Sequence, residues 1–291
     1  MSITFEQVGR TFAGKAEGIA LSPPCDAGTI QTILAALDRF GVVVLAGQKM
    51  TPDEQIAFSE QLGPLENSDE GNPKYRKLRE DMKYTDQRVS EISNLVDGAT
   101  ILGATDMRRI FQYANQFWHA DSTFRPVRAR YTFLQAILVP RDGGDTEFAD
   151  MATACEELPQ ALREEAEGLI GIHSPRTIMD HLGATRPDQG GFFSELPDQP
   201  RPIIETHPGS GRQVLNIGSH LSHIEGMPMP EGRALIAALR EHACDPRYRY
   251  RHRWTPGDLV IWDNRSTLHR ACRYRENDQP RQLVRTLVED R

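Results

Sequence analysis

The chain has 291 residues, of which 38% are hydrophobic and 26% are charged, and this is the composition of a globular protein large enough to bury a substantial core. A formal net charge of −7 argues against a nucleic-acid-binding protein, which would show a basic domain or patch. The sequence has no apolar run of membrane-spanning length, and its first residues lack the basic and apolar regions of a signal peptide, so we expect a cytoplasmic protein that binds neither nucleic acid nor membrane.

Two helices around a short strand are predicted in the first part of the chain. Residues 29–40 repeat apolar side chains at helical spacing, and a glycine follows as a C-cap. Residues 42–46 form an apolar run between glycines, which predicts a strand. Thr51 and Glu54 form a capping box, which predicts a second helix that reaches about residue 62.

A long polar segment follows at about residues 66–110. It is rich in charged side chains and has weak periodicity, and in a compact domain such a segment is usually a functional lid or a mobile loop. We therefore interpret residues 1–291 as a single domain with a lid insertion. Basic side chains of the lid would add positive charge to a site below it, although a solvated surface loop explains them equally well: Lys74, Arg76, Lys77, Arg79 and Lys83.

Short strands predominate after residue 128. They are predicted over residues 131–139, 144–149, 213–217, 248–254, 258–262 and 282–288. Helices are predicted over residues 153–169 and 231–242, and residues 185–201 are rich in loop-forming residues. This pattern indicates a mainly β fold with flanking helices, such as a sandwich or jelly roll, whose open end is a natural ligand site.

One pair of side chains suggests a metal site. His119 and Asp121 lie two residues apart, so on a β-strand both would project from the same face. His269, from a distant strand, would complete a triad of two histidines and one carboxylate, which leaves coordination positions open as non-haem Fe(II) oxygenases require. Taken alone, the HxD pair is also explained by a surface salt bridge or a buried hydrogen-bonded pair.

The flanking residues give a more specific indication. Residues 115–122, 143–151 and 250–270 contain an HxD pair, a later threonine and a distant histidine, and an arginine follows. In these motifs, and over almost its whole length, the chain resembles the taurine dioxygenase and 2,4-dichlorophenoxyacetate dioxygenase family, and most of all its aryloxyalkanoate (herbicide-degrading) branch. The resemblance implies a double-stranded β-helix (jelly-roll) core, Fe(II) as metal, 2-oxoglutarate as cosubstrate, and O₂.

The resemblance also implies roles for individual residues. His119, Asp121 and His269 match the Fe(II) ligands of the family. Arg281 matches the arginine that pairs with the distal carboxylate of 2-oxoglutarate, for which a guanidinium fork is well suited. Thr146 matches the hydroxyl that donates to the same carboxylate.

Two further residues match less specific positions. Arg285, four residues after Arg281, matches an arginine near the iron that assists either an anionic substrate or the oxo-acid end of the cosubstrate. Asn94 falls in a segment that lines the mouth of the site in the family, so a substrate contact is expected. His220 and His223 lie three residues apart and would need a third ligand to form a second metal site, and Trp254 and Trp262 are expected in the core.

The expected function is that of an oxidoreductase acting on a small anionic organic molecule. The resemblance favours an aryloxyacetate-type ether, cleaved to a phenol and an oxo acid with release of succinate and CO₂. The same chemistry on a sulfonate, an alkyl sulfate ester or another small carboxylate stays open, as does a non-catalytic metal-binding jelly-roll protein. We also expect a homo-oligomer.

Overall fold

The computed structural model describes residues 3–67, 84, 86–96, 98–104, 106, 108–184 and 196–291. The basic residues of the predicted lid, at positions 74–83, lie outside this part of the chain. Within it, the protein is mainly β with seven helices. None of the described helices is long and apolar enough to cross a membrane.

The strands and helices are numbered here in chain order. The strands are β1 (Glu6–Gln7), β2 (Gly14–Ala16), β3 (Val42–Leu45), β4 (Ser90–Ser93), β5 (Ala129–Leu138), β6 (Thr146–Asp150), β7 (Ile170–His173), β8 (Gln199–Pro202), β9 (Ile204–Thr206), β10 (Gln213–Leu215), β11 (Leu221–Ile224), β12 (Arg249–His252), β13 (Leu259–Asp263), β14 (Thr267–Ala271) and β15 (Gln282–Glu289). The helices are α1 (Ala27–Phe40), α2 (Pro52–Glu60), α3 (Arg108–Ala114), α4 (Met151–Glu156), α5 (Gln160–Ala166), α6 (Arg176–His181) and α7 (Met229–Ala243).

Two sheets determine where the functional site lies. The major sheet has seven strands in the order β1-β2-β3-β13-β5-β15-β4, and the minor sheet has three strands in the order β12-β6-β14. A second three-stranded sheet, β11-β7-β8, and the pair β10-β9 complete the described strands. Apart from β2 with β3, the strand pairs of the two main sheets are antiparallel.

Alternating side chains give the major sheet two apolar faces. Val44 and Trp262 belong to one buried cluster with Phe148 of the minor sheet, whose ring lies 5.3 Å from that of Trp262. Val43 belongs to a second cluster, with Ile33 of α1. Successive strand residues point to opposite faces, so the major sheet packs against the minor sheet on one side and against helices on the other.

The early helices begin and end where the sequence indicates. Asp26 caps α1 by accepting from Thr29 N at 2.9 Å, and Gly41 ends the helix with φ of 64°. At α2 both halves of the capping box form, because Glu54 N donates to Thr51 Oγ1 and Thr51 N donates to Glu54 Oε2. These side-chain bonds satisfy backbone donors that a helix start would otherwise leave unpaired.

Three features differ from the sequence predictions. The helix predicted over 153–169 is two helices, α4 and α5, separated at Pro159, which cannot donate a helical hydrogen bond. The HxD segment is not a strand, since His119 forms only an isolated bridge and Asp121 lies in a turn. The described part of the predicted lid is not simply a loop, because it contains β4, which pairs with β15, and the first turn of α3.

Candidate active site

The two histidines of the predicted triad lie opposite each other across the isolated bridge. His119 N donates to His269 O at 3.0 Å, and His269 N donates to His119 O at 2.8 Å. Their imidazole rings are 4.1 Å apart between centroids. Asp121 reaches the same point from a turn in which Ser122 adopts a left-handed φ of 55°. The bridge and the turn therefore replace the predicted strand, and they still bring the three side chains together.

The separations between the triad atoms fit a shared metal ion. His119 Nε2 lies 3.9 Å from Asp121 Oδ1, and His269 Nε2 lies 3.7 Å from Asp121 Oδ2, so neither pair is hydrogen-bonded. Ligand atoms from the three residues all lie within 4.8 Å of one another. Since a first-row metal ion lies about 2.0–2.2 Å from such ligands, one ion between them satisfies all three. Two imidazoles and one carboxylate form the donor set of a facial Fe(II) triad.

The hydrogen bonds and charges around the histidines favour ligation. His119 Nδ1 contacts the Phe117 carbonyl oxygen at 2.8 Å, and because a carbonyl only accepts, Nδ1 carries the proton and Nε2 keeps its lone pair. Burial lowers the pKa of His119, and burial together with His119 lowers the pKa of His269 well below its usual value. Both rings are therefore neutral at physiological pH, as metal ligands must be.

The carboxylate of Asp121 is held in place from the major sheet. Thr132 Oγ1 on β5 donates to Oδ2 at 2.7 Å, and Arg285 Nη1 on β15 donates to Oδ1 at 3.1 Å. Asn264 accepts from Asp121 N at 2.9 Å and donates to Thr132 Oγ1 at 2.8 Å. Burial opposes ionisation, but the charge of Arg285 and the Thr132 bond hold the pKa of Asp121 well below its usual range.

Arg281 and Thr146 meet in a small cavity of about 30 Å³ beside the triad. Arg281 is buried there and donates from Nε to the Gly144 carbonyl at 3.1 Å, and burial lowers its pKa. Thr146 Oγ1 accepts a bond from Trp254 Nε1 at 3.0 Å, so its own hydrogen is available to a ligand. The small cavity thus offers a guanidinium and a hydroxyl, which are the groups that recognise a carboxylate.

A large cavity of about 220 Å³ opens on the other side of the triad. Much of its wall is apolar, and these side chains are Ile92, Leu95, Val96, Phe111, Phe124, Ile178, Met179 and Leu287. Ile92, Asn115, His119 and Arg285 line both the large and the small cavity. The two cavities therefore meet at the triad, with Arg285 at the junction.

Sequence reasoning missed several polar residues of the large cavity, among them Glu66, Arg125 and His220. Glu66 and Arg125 both line it, with Glu66 Oε1 3.3 Å from Arg125 Nε, and burial raises the pKa of Glu66 despite this partner. His220 also lines it, with its ring 6.4 Å from that of His119. No local sequence motif marks Glu66 or Arg125, whereas His220 lay in a segment already noted for its histidines.

Asn94 does not have the position expected of a substrate contact. Its side chain is buried against the backbone of residues 276–281, and it is not among the residues that line the large cavity. His220 and His223 do not form a metal site with any third ligand in the described structure. Trp254 and Trp262 are buried as predicted, and Trp262 also packs 4.6 Å from the His269 ring.

A second cluster, of Asp38, His207 and Asp263, is better explained by ion pairing. Ser210 N donates to His207 Nδ1 at 3.0 Å, so His207 Nε2 carries the proton that it shares with Asp263 Oδ2 at 3.0 Å. Arg265 donates to both oxygens of Asp263, at 2.9 and 2.6 Å. The lone pairs of His207 and Asp263 are therefore already used, and the remaining carboxylate of Asp38 cannot hold a metal ion by itself.

Comparison with known proteins agrees with this geometry. The model of the taurine catabolism dioxygenase TauD, TfdA family matches residues 5–287. An alpha-ketoglutarate-dependent 2,4-dichlorophenoxyacetate dioxygenase of Burkholderia sp. (strain RASC) is 41% identical over 276 residues, which are 94% of this chain and 90% of the relative. An (S)-phenoxypropionate/alpha-ketoglutarate-dioxygenase of Sphingobium herbicidovorans is 35% identical, over 90% of this chain and 86% of the relative.

A solved structure gives the same result at the level of the fold. The crystal structure of AAD-2 in complex with Mn(II) and N-oxalylglycine superposes with a TM-score of 0.87 and 33% identity, covering 99% of this chain and 97% of that one. N-oxalylglycine is an analogue of 2-oxoglutarate, so that protein binds a metal and a cosubstrate mimic together. The chain therefore belongs to the TauD/TfdA family of 2-oxoglutarate-dependent dioxygenases.

Proposed function

We propose that His119, Asp121 and His269 hold Fe(II), and that Arg281 and Thr146 bind the distal carboxylate of 2-oxoglutarate in the small cavity. The observation that supports this is the placement of a carboxylate-recognising pair next to an open-faced triad. When bound, Fe(II) and 2-oxoglutarate supply an oxidant made from O₂, with release of succinate and CO₂. The major and minor sheets, which face each other around this site, are then the jelly-roll core expected for the family.

We further propose that the large cavity binds a small aryloxyacetate, with Arg285 as the anchor of its carboxylate. Among the described residues Arg285 donates only from Nη1, to Asp121 Oδ1, and 22% of its side chain stays exposed. Its guanidinium fork therefore has donors left for an anion at the end of the large cavity nearest to the triad. The apolar wall beyond it suits an aromatic ring. Two relatives, at 41% and 35% identity, are named for phenoxy acids, and these names support the same class of substrate.

The protein's contribution is to fix which carbon reacts. A carboxylate held by Arg285 places the neighbouring methylene beside the triad. Orientation of this kind lowers the activation barrier, because the substrate gives up its translational and rotational freedom on binding and not during the reaction. Hydroxylation of that methylene gives a hemiacetal, which breaks the bond between the ether oxygen and the hydroxylated carbon while its hydroxyl proton passes to the departing phenolate. The products are a phenol and glyoxylate.

The test measures phenol and succinate release from phenoxyacetate and 2,4-dichlorophenoxyacetate with Fe(II) and 2-oxoglutarate. Phenoxyethanol, which has the same ring and ether but no carboxylate, should react far more slowly. Arg285→Ala removes a charged hydrogen bond of a kind that contributes about 2–5 kcal/mol, so KM for phenoxyacetate should rise by more than tenfold. Arg141→Ala, which removes an arginine with 82% of its side chain exposed, is the matched control.

Two outcomes would change the assignment. Undiminished phenol release by an iron-loaded Arg285→Ala variant would keep the substrate class and remove Arg285 as its anchor. No phenol release, together with brisk succinate formation from taurine or an alkyl sulfate, would favour the second candidate. That candidate is the same chemistry on a sulfonate or sulfate ester. It is supported by the family description, which names taurine catabolism, and by the ability of a guanidinium to bind any of these anions.

A further inference from the structure

Asn94 uses its whole side-chain amide on the chain segment that leads to Arg281. Its Oδ1 accepts from Arg281 N at 2.7 Å, and its Nδ2 donates to the carbonyl oxygens of Glu276 at 2.7 Å and Gln279 at 2.9 Å. Asn94 N also donates to Arg281 O at 3.2 Å, so both backbone groups of Arg281 are bound to this one residue. Asn94 is 2% exposed, and only an amide offers an acceptor and two donors in this arrangement.

The side chain of Arg281 is constrained from the opposite direction by Gly144. The guanidinium Nε donates to the Gly144 carbonyl, and Gly144 adopts φ of 71°. A Cβ on Gly144 would lie 2.6 Å from Pro140 Cγ and 3.4 Å from Arg281 Cδ, so the close approach requires glycine. Asn94 holds the backbone of Arg281 and Gly144 holds its guanidinium. Both ends of the Arg281 side chain are therefore fixed where it enters the small cavity.

The segment held by Asn94 is also attached to a helix that lines the large cavity. Arg109 Nη2 on α3 lies 3.0 Å from Glu276 Oε1, and Tyr113 OH on the same helix donates to that oxygen at 3.0 Å. Phe111 on α3 lines the large cavity. The loop before Arg281 is therefore held by the same elements that form the wall of the large cavity.

We infer that Asn94 is a positioning residue for the cosubstrate, which fixes the backbone of residues 276–281 so that Arg281 meets the distal carboxylate of 2-oxoglutarate. This rests on the proposed role of Arg281. A purely structural asparagine would affect stability without affecting which 2-oxo acid binds. A positioning residue affects the recognition of the distal carboxylate in particular.

The test compares equilibrium binding of two 2-oxo acids to the Mn(II)-loaded protein by calorimetry. One is 2-oxoglutarate, and the other is 2-oxopentanoate, which has the same chain length and lacks the distal carboxylate. Asn94→Asp keeps an oxygen that accepts from Arg281 N. Its second oxygen replaces the Nδ2 amide group, so it faces the carbonyl oxygens of Glu276 and Gln279 with no hydrogen to donate. Loss of a hydrogen bond to a charged group lowers affinity by about 10- to 100-fold, so we expect 2-oxoglutarate to bind more weakly by that factor when Arg281 is displaced. We expect the affinity for 2-oxopentanoate to stay within about twofold, since it does not use the displaced contact.

Controls separate the possible failures. Asn216→Asp alters another buried asparagine, whose Nδ2 donates to the Pro202 carbonyl at 3.0 Å, and it should keep the preference for 2-oxoglutarate. If Arg281→Ala abolishes this preference and Asn94→Asp retains it, the positioning inference is overturned while the proposed site stands. If Arg281→Ala itself retains the preference, the proposed carboxylate site is wrong. Asn94→Ser, whose hydroxyl cannot reach both carbonyls, replaces Asn94→Asp if that variant does not fold.

Discussion

Removing the hydroxyl that holds the carboxylate ligand should weaken metal binding without removing any ligand. Thr132 is fully buried on β5 and its Oγ1 donates to Asp121 Oδ2 at 2.7 Å while it accepts from Asn264 Nδ2 at 2.8 Å. Thr132→Val keeps the shape and loses both bonds. Loss of such a supporting group lowers metal affinity by about 10- to 100-fold, which corresponds to about 1.4–2.8 kcal/mol.

Thr132→Val should also destabilise the fold, and the experiment must separate this effect from the loss of metal affinity. The Asn264 amide loses its acceptor, so the free energy of unfolding of the metal-free protein should fall by about 1–3 kcal/mol. Thr286→Val is the matched control, because Thr286 is 1% exposed on β15 and its Oγ1 bonds to Ser59 Oγ at 2.6 Å and Gln55 Nε2 at 3.3 Å, away from the triad.

The measurements are anaerobic competition of Fe(II) with a chromophoric chelator and urea unfolding of the metal-free protein. We expect both variants to lose stability and only Thr132→Val to lose metal affinity. A metal affinity within twofold of the wild type in Thr132→Val would refute the reasoning. Equal weakening in the two variants would do the same, because the loss would then follow from general destabilisation.

Two other predictions concern the triad and the buried ion pairs. His119→Ala or Asp121→Ala should abolish succinate formation and the visible charge-transfer band that Fe(II) and 2-oxoglutarate give without O₂, and near-normal values of both in either variant would contradict the metal assignment. Burial alone would raise the pKa of Asp263, but its bonds to Arg265 and His207 hold the pKa well below the usual range. The carboxylate therefore stabilises the fold fully above about pH 4, and this contribution is lost as the pH falls through the folded-state pKa. Asp263→Asn should reduce the free energy of unfolding by about 3–5 kcal/mol at pH 7 and by less at pH 3, as urea titrations would show, and an equal loss at both pH values would count against the ion pairs.

Local sequence signals were sufficient where local forces decide the structure. The capping box of Thr51 and Glu54 formed as predicted, because both of its bonds are made within one helical turn. The break between α4 and α5 also had a local signal, since Pro159 lies at the interruption, but the helical periodicity outweighed it in the prediction. Runs of apolar residues identified β13 and β15, and the same residues fold as strands because both faces of the major sheet are buried.

Contacts between distant residues could not be obtained from local patterns. His119 and His269 were joined in the prediction by family resemblance, and the structure joins them by a two-residue bridge that no periodicity reveals. Asn94 was expected to contact substrate, and in the structure its side chain contacts the backbone of residues 276–281. A sequence indicates that a segment lies near a site, whereas the direction of one side chain depends on how β4 pairs with β15. Glu66 and Arg125 were missed because an ion pair between residues 59 positions apart leaves no sequence pattern.

The triad lies where the two main sheets meet, and this placement links metal binding to the packing of the fold. His269 lies on β14 of the minor sheet, while Thr132 and Arg285 hold the Asp121 carboxylate from β5 and β15 of the major sheet. An ion bound by all three ligands therefore connects the sheets at the end where both cavities open. Because the unfolded chain does not present the triad, the free energy of metal binding adds to the stability of this end of the protein. Arg285 contacts the carboxylate ligand and lines both cavities, so the proposed metal, cosubstrate and substrate sites share one side chain at their junction.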